Sequence, residues 1–292
     1  MRDGRRLGSR IHLPPGAWAS VLECLCARFP MVAPAEWAAR FERGLVQDTE
    51  GRPVPIGAAY RSGLEIHYFR ELADEVPIAG TELVLHADEH LVVADKPHFL
   101  PVMPTGRWVE QTLQARLERR LGISGLAPLH RLDRATAGLV LLSANPATRA
   151  RYQALFRERR ISKRYEAIAA PASGTSLPAT YVSRLEAGEP FFTMREVAGT
   201  PNTETRIEVL ERGKTTWRYG LEPVTGRKHQ LRVHMAALGI PIRHDRIYPT
   251  VLDESPDDPQ RPLALVARRL QFIDPLTGVE RFFCSAFPLP LE

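Results

Sequence analysis

A carboxylate flanked by arginines is the feature of this sequence best suited to chemistry. Asp133 follows Arg131 by two residues and directly precedes Arg134. Because a neighbouring cation favours the ionised form of a carboxylate, we expect Asp133 to act as a nucleophile or base and to be a poor general acid. The alternative is an ordinary loop aspartate that caps a turn or pairs with Arg134.

A second reactive group lies in the segment 161–170. Tyr165 alternates there with the charged residues Arg164 and Glu166, which is typical of a strand. A tyrosine can stack on a nucleobase, and its hydroxyl can take part in proton transfer. The alternative is a tyrosine that only fills the core.

A third segment, 224–238, contains several cations. Arg227, Lys228 and His229 follow a Thr-Gly turn and precede an apolar helical pattern. We predict a helix that begins at this turn, with the three residues in its first turn, where free N–H groups and the helix dipole attract anions. His229 and His234 are five residues apart, which does not fit the spacing of a helical metal pair, so we predict no metal site.

Strands and helices must hold these segments together. The apolar run 137–143, directly after Asp133, predicts a buried strand. Lys96 could contact phosphate, and the alternative is a side chain at a solvated strand end. Residues 171–204 are rich in Pro, Gly, Ser and Thr and are predicted to be irregular. Further strands are predicted at 83–86, 91–94, 161–170, 205–212, 215–222 and 263–272, and helices at 109–121 and 145–159.

The N-terminal part of the chain has a weaker pattern. Residues 1–16 contain several Pro and Gly residues and predict a flexible basic arm. Residues 17–80 predict a small accessory domain with two helices, 20–29 and 34–43, followed by short strands. This leaves residues 81–292 for the domain that carries the reactive groups.

The composition restricts the class of protein. The formal net charge of +5 suits a polyanionic partner, although many unrelated proteins share it. Three cysteines do not indicate a disulfide framework, and no run approaches the roughly 18 apolar residues of a membrane span. We therefore expect a cytoplasmic protein without a membrane segment.

The three segments resemble, in the same order, the catalytic motifs of the RluA-type pseudouridine synthases. The resemblance covers about residues 81–290 and departs from the family pattern at Ala137, usually Ser, and at Ile240 and His244, usually His and Gly. The matching residues are His130-Arg131-Leu132-Asp133 with Thr136-x-Gly138-Leu139, then Lys163-x-Tyr165-x-Ala167, and then Thr-Gly-Arg-x-His-Gln-Leu-Arg-x-His at 225–234.

The resemblance implies a fold and an activity. The fold is α+β, with a mixed or antiparallel sheet flanked by helices in residues 81–292, and with an N-terminal α/β accessory domain similar to the S4-like RNA-binding module. The activity is isomerisation of specific uridines in ribosomal or transfer RNA to pseudouridine. It implies an RNA partner, no cofactor and no metal, and we expect a monomer without an obligate protein partner.

The resemblance also assigns roles to residues. Asp133 is the essential carboxylate, Tyr165 lies against the target base, and Arg227 pairs with Asp133. Two alternatives stay open, namely a non-catalytic RNA-binding protein that keeps the fold, and a metal-dependent nuclease that uses Asp133 with His130 or His229. We expect the other polar residues of the motifs to bind the RNA: His130, Arg131, Lys163, His229, Gln230 and Arg232.

Overall fold

The computed structural model describes residues 9–30, 32–69, 75–106, 108–172, 177–252 and 256–291. The chain forms two compact units. The first comprises residues 1–75 and 106–109, and the second comprises residues 76–105 and 110–292. No helix in the described part of the chain is long and apolar enough to cross a membrane.

The first unit packs two helices with a small antiparallel sheet. The predicted helices are observed as α1 (Val21–Arg28) and α2 (Pro34–Glu42), and the Ser20 hydroxyl caps α1 by accepting a hydrogen bond from the Glu23 N–H. The sheet has the order β1-β3-β2. Its strands are β1 (Ser9–His12), β2 (Val46–Gln47) and β3 (Glu65–Tyr68).

The predicted flexible arm needs a correction. Residues 9–12 form strand β1, which pairs with β3 so that Ile11 lies opposite Ile66. The apolar side of this pairing covers a core that contains Trp37 and Leu25, both fully buried, and burial of such side chains stabilises a small domain. The rest of the predicted arm, residues 1–8, lies outside the described residues. The likeness of this unit to an S4-like module stays a prediction.

The second unit is built on an eleven-stranded sheet. The main path through the sheet is β10-β9-β11-β12-β8-β13-β7-β5-β4, with β14 beside β13 and β6 beside β7. Its pairings are antiparallel except for β13 with β7, which is parallel, so the sheet is mixed as predicted. The strands are β4 (Leu83–Ala87), β5 (Leu91–Lys96), β6 (Ala127–Pro128), β7 (Ala137–Ser143), β8 (Ile161–Ala169), β9 (Thr180–Ala187), β10 (Met194–Val197), β11 (Thr203–Arg212), β12 (Trp217–Pro223), β13 (Leu265–Ile273) and β14 (Glu280–Cys284).

Helices cover both faces of the central strands. Every residue of β5 and β7 is buried, because α3 (Leu113–Leu121) packs on one face and α4 (Arg149–Arg157) packs on the other. The third helix of this unit is α5 (Gln230–Ala237). This burial holds the start of β7, and the loop before it, in a fixed place.

Two helices begin later than predicted because side chains bond to the backbone ahead of them. The Thr112 hydroxyl accepts a hydrogen bond from the Ala115 N–H and caps α3. The Asn145 side chain accepts a hydrogen bond from the Ala147 N–H, which holds the start of the predicted helix in a turn until α4 begins at Arg149. Both helices otherwise lie where the apolar spacing placed them.

Residues 171–204 are not irregular throughout. The described part of this segment contains β9 and β10, which pair as a hairpin, and β9 pairs in turn with β11. Of the residues of β9, Leu185 alone is fully buried. A strand that buries so little leaves a weak apolar alternation in its sequence, which explains why the pattern did not indicate it.

Candidate active site

Asp133 lines a pocket of about 610 Å³ in the second unit. The carboxylate sits just before β7, in a turn that the Thr136 N–H closes by donating to the Asp133 carbonyl at 3.1 Å. Its side chain is 19% exposed, so it can reach a substrate in the pocket. The pocket is lined by all of the residues predicted for the site: Asp133, Tyr165, Arg227, His130, Arg131, Lys163, His229, Gln230 and Arg232.

Arg232 is the cation that contacts Asp133. Its Nη1 lies 3.3 Å from Asp133 Oδ2, while its Nε and Nη2 donate to the two carboxylate oxygens of Asp245 at 2.8 and 2.7 Å. Burial disfavours the charge of Arg232, but the hydrogen bonds and charges of Asp245 and Asp133 outweigh it and hold the pKa of Arg232 above its ordinary value. The guanidinium therefore stays charged beside Asp133.

The predicted pairing of Arg227 with Asp133 is wrong. Arg227 lines the same pocket but is exposed, and within the described residues it forms no ion pair. The reason is that α5 begins at Gln230 and not at the Thr-Gly turn. The first turn of α5 therefore presents Arg232 to Asp133, and Arg227, Lys228 and His229 precede the helix.

Gln230 explains where α5 begins. Its side-chain oxygen accepts from the Thr225 hydroxyl at 2.8 Å and from the Arg227 N–H at 3.1 Å. Its side-chain nitrogen donates to the Glu204 carbonyl and to the Thr205 hydroxyl, both at 2.9 Å. These four bonds use the full capacity of the amide, so the predicted substrate-binding role of Gln230 is replaced by a structural one.

His229 faces Asp133 from the other side. Its Nε2 lies 3.7 Å from Asp133 Oδ1, and its Nδ1 lies 2.7 Å from the hydroxyl of Tyr248. Burial lowers the pKa of His229 to about 4, although the charge of Asp133 opposes this shift. The ring is therefore neutral near pH 7, and the predicted contact of His229 with RNA stays a prediction.

Tyr165 lies on β8, opposite Ala267 of β13 and Leu221 of β12. Its side chain packs against two core clusters and also lines the pocket. Burial, together with the negative charge of Asp133, raises the pKa of its hydroxyl above the ordinary value. The hydroxyl therefore stays protonated and can donate a hydrogen bond.

Known proteins are similar to this chain in sequence and fold. The sequence profile of the RNA pseudouridylate synthase family matches residues 90–237. An uncharacterised RNA pseudouridine synthase of Synechocystis is 32% identical over 220 residues, which cover 73% of each chain. The dual-specificity RNA pseudouridine synthase RluA of Pasteurella multocida is 33% identical over 211 residues, which cover 66% of this chain and 88% of the relative. The chain belongs to the RluA-type RNA pseudouridine synthases.

Two further relatives agree with this assignment. The mitochondrial tRNA pseudouridine(32) synthase of Saccharomyces cerevisiae is 32% identical over 183 residues, which cover 60% of this chain and 38% of the relative. The solved structure of human RNA pseudouridylate synthase domain containing 4 matches 70% of this chain and 88% of its own, with 25% identity and a TM-score of 0.54. The predicted fold and enzyme class, an isomerase that acts on uridine in RNA, are confirmed.

In this synthase His130 serves the structure of the loop before Asp133. Its Nε2 accepts a hydrogen bond from the Leu141 N–H at 3.1 Å, and its ring stacks on Phe156 with 4.9 Å between centroids. Burial lowers the pKa of His130 to about 3, so the ring is neutral near pH 7. The structure thus gives His130 a packing role, and its predicted contact with phosphate stays a prediction.

Four cations of the synthase line the pocket and have no carboxylate partner within 4 Å among the residues that the structure describes. We call them the basic rim. Two of them, Arg131 and Lys163, were predicted to bind RNA, and a third, Arg227, was predicted to pair with Asp133. The basic rim consists of Arg131, Arg159, Lys163 and Arg227.

Lys96 is not at a solvated strand end. It is fully buried, and its Nζ donates to the carbonyls of Pro97 at 2.9 Å and of Arg134 at 3.2 Å. Burial lowers the pKa of Lys96 to about 7, against the charge of Asp133. Lys96 thus supports the turn behind Asp133, and its ammonium is not available to phosphate.

Asp245 and Tyr248, in the segment 239–248, are site residues that the sequence did not indicate. Asp245 is held by Arg232 and by the N–H groups of Ile247 and Tyr248, which donate to its Oδ1 at 2.8 and 3.1 Å. His244 has a φ of 60°, which favours glycine, and the family pattern has glycine at this position. The loop therefore keeps its geometry although the residue has changed.

Proposed function

We propose that this synthase isomerises specific uridines in ribosomal or transfer RNA and that Asp133 is its essential carboxylate. The observation that carries the proposal is the carboxylate of Asp133, bonded on one oxygen to a buried guanidinium and open to a pocket lined by cations. The relatives support the substrate class, because one is named a dual-specificity RNA pseudouridine synthase and another a tRNA pseudouridine synthase.

The reaction requires groups that this pocket supplies. The bond between C1′ and N1 of the uridine breaks, the uracil turns, and a bond forms between C1′ and C5, while the proton on C5 leaves and N1 gains a proton. No atom is added overall, so the proposal needs no cofactor. Asp133 acts on the nucleoside while the glycosidic bond is broken, and Arg232 holds that carboxylate in place. The protonated Tyr165 lies against the detached base.

The basic rim is proposed to hold the RNA backbone. A uridine inside a helix must leave its stack before it reaches Asp133, which costs a few kcal/mol. Cations without acidic partners can offset this cost by binding the neighbouring phosphates. Arg131 and Lys163 keep their predicted role as RNA-binding residues in this way, and Arg227 gains that role in place of its predicted pairing with Asp133. A monomeric state and a cytoplasmic location stay predictions.

The proposal is tested by tritium release from RNA labelled at C5 of uracil. Total RNA from cells that lack this gene is incubated with the wild type and with Asp133→Asn, without added metal. We expect release by the wild type alone, while both proteins bind RNA equally well. A matched control is Asp48→Asn, which changes an aspartate paired with Arg52 in the first unit.

Each other result has a defined meaning. Release by Asp133→Asn at the rate of the wild type would show that Asp133 is not essential. RNA binding by the wild type without release from any RNA would favour the alternative, a non-catalytic RNA-binding protein that keeps the fold. Fractionating the labelled RNA before the assay then separates ribosomal from transfer RNA as the substrate.

A further inference from the structure

Tyr248 connects the catalytic pocket to the β9–β10 hairpin. Its hydroxyl accepts a hydrogen bond from the Met194 N–H at 2.8 Å and lies 2.7 Å from Nδ1 of His229. The rings of Tyr248 and His229 meet edge to face, with 5.5 Å between their centroids. The far nitrogen of the same imidazole, Nε2, faces Asp133 Oδ1 at 3.7 Å.

The positions of the protons follow from counting donors. A backbone N–H can only donate, so the Tyr248 oxygen accepts from Met194. A phenol has one proton of its own, and among the described contacts of this oxygen the one remaining partner is Nδ1 of His229. If the phenol donates to Nδ1, the hydrogen-bonding groups of Met194, Tyr248 and Nδ1 of His229 all have a partner. A neutral ring then carries its proton on Nε2.

The opposite tautomer is disfavoured at both ends of the ring. With the proton on Nδ1, the phenol proton would have no acceptor among the described contacts. The lone pair of Nε2 would then face the negatively charged carboxylate of Asp133, which is electrostatically unfavourable. The groups that face His229 are Asp133, Arg232, Lys228, Asp245 and Tyr248. Burial keeps the pKa of Tyr248 raised, to about 12, so the phenol proton remains.

We propose that Tyr248 is a positioning residue that fixes the tautomer of His229, so that the Nε2–H of His229 points at Asp133 Oδ1. This inference rests on the proposed role of Asp133. The two oxygens of the carboxylate then face donors on opposite sides, Arg232 at Oδ2 and His229 at Oδ1. The separation of 3.7 Å is too long for a hydrogen bond, and catalytic contacts of this kind tighten when the substrate binds.

The tautomer can be read without any assay of activity. In protein labelled with ¹⁵N-histidine, the two ring nitrogens of His229 have different shifts according to which one carries the proton. Their signals are assigned by their absence from His229→Gln. We expect the Nε2–H tautomer in the wild type at pH 7. In Tyr248→Phe, which removes only the hydroxyl, we expect a clearly smaller Nε2–H population, because only the charge of Asp133 still disfavours the Nδ1–H form.

Kinetics test whether the tautomer matters to the reaction. We expect Tyr248→Phe to lower kcat by about 10- to 100-fold, as for the loss of an oriented donor on a charged group, and to leave KM for RNA unchanged. In a His229→Gln background the same substitution should have no further effect on kcat, whereas a merely structural role would give additive losses. The matched control is Tyr152→Phe, which removes a buried hydroxyl bonded to Asp274 outside the pocket and should change neither kcat nor the His229 signals.

Three results would overturn the proposal. These are an Nδ1–H tautomer or a doubly protonated ring in the wild type, an Nε2–H population in Tyr248→Phe as large as that of the wild type, and additive losses of kcat in the double variant. A wild type that releases no tritium from any RNA would contradict the proposed function instead, because the nitrogen shifts still decide the tautomer in that case.

Discussion

At the scale of single residues, the site is a row of alternating charges. The carboxylate of Asp245 accepts hydrogen bonds from Nε and Nη2 of Arg232, so Nη1 is the nitrogen that donates to Asp133. A bidentate pair fixes the plane of the guanidinium, and the single remaining contact leaves Asp133 Oδ1 facing His229 and the pocket. The buried Asp245 thus orients the cation, and the cation orients the reactive carboxylate.

The corrected partner of Asp133 gives a direct prediction. Arg232→Lys keeps one positive charge, but an ammonium lacks the planar set of donors by which the guanidinium bonds to both Asp245 and Asp133. We expect kcat to fall by about 10- to 100-fold, as for the loss of charge-assisted hydrogen bonds, with little change in KM for RNA. Steady-state tritium release measures both constants.

Arg227→Gln is the matched comparison for that variant. Because Arg227 is exposed on the basic rim and has no ion pair among the described residues, we expect weaker RNA binding and an unchanged kcat. The slope of log K against log salt should also decrease by about 0.7, the value for one phosphate contact on a single strand. A larger loss of kcat in Arg227→Gln than in Arg232→Lys would restore the pairing predicted from the sequence.

Lys96 gives a prediction about stability. Its pKa in the folded chain is about 7, below that of an unfolded lysine, so the unfolded chain binds one more proton between pH 7 and about 10.4. The free energy of unfolding therefore gains a contribution that rises with pH across this window. Urea unfolding between pH 7 and 9.5 should show a smaller rise in Lys96→Met than in the wild type. Equal pH dependence of the two proteins would place Lys96 in solvent.

Sequence reasoning found the residues of the site more reliably than their partners. The motifs located Asp133, Tyr165 and Arg232, and the structure brings all of them to one pocket. The partner of Asp133 was misassigned because Arg227 and Arg232 lie on the same segment, and the start of α5 decides which of them faces the carboxylate. That start depends on four hydrogen bonds of Gln230, two of them to the distant residues Glu204 and Thr205, which no local pattern reveals.

At the scale of elements, the contact of β7 with β13 places the Asp133 loop. Gly138 has a φ of 114°, and a Cβ there would lie 2.4 Å from the Ala267 carbonyl oxygen. A side chain would therefore strain the backbone and push apart the parallel pair. The position of the first residues of β7, and of the turn that carries Asp133, therefore depends on the close contact between Gly138 and Ala267.

Gly138→Ala tests that dependence. We expect a loss of roughly 2–6 kcal/mol in the free energy of unfolding, the sum of backbone strain and overpacking, measured by urea denaturation. Gly122→Ala is the control, because Gly122 also has a positive φ of 69° but open space around the added Cβ, and its cost should be roughly 1–2 kcal/mol. A cost for Gly138→Ala no larger than that of the control would contradict the close packing.

The elements around the motifs were predictable because their apolar patterns are strong. The run 137–143 is buried throughout. A continuous apolar run of this length between turn residues predicts a buried strand without knowledge of the strands beside it. Elements with weak patterns were not predictable. The strand β9 buries little, and the first turns of α3 and α4 are set by Thr112 and Asn145 through hydrogen bonds to the backbone.

At the scale of the whole molecule, the synthase buries several histidines in neutral form. Burial lowers the pKa of His130 to about 3 and those of His229 and His234 to about 4. His234 lies within 3.1 Å of the hydroxyls of Ser183, Thr203 and Thr205, so its ring joins β9, β11 and α5. The stability of the second unit therefore depends on rings that must stay uncharged.

The resulting pH dependence has a defined sign. An unfolded histidine binds a proton near pH 6.5, whereas these three in the folded chain do not until about pH 3 or 4. Stability is thus complete above pH 6.5 and falls as pH decreases, by up to about 1.4 kcal/mol per pH unit for each histidine. We expect the urea midpoint of unfolding to decrease between pH 7.5 and 5, and to decrease less in His234→Gln. His12→Gln, at a side chain that is 59% exposed in the first unit, should keep the dependence of the wild type. An equal dependence in His234→Gln would show that His234 binds its proton as readily in the folded chain as in the unfolded chain.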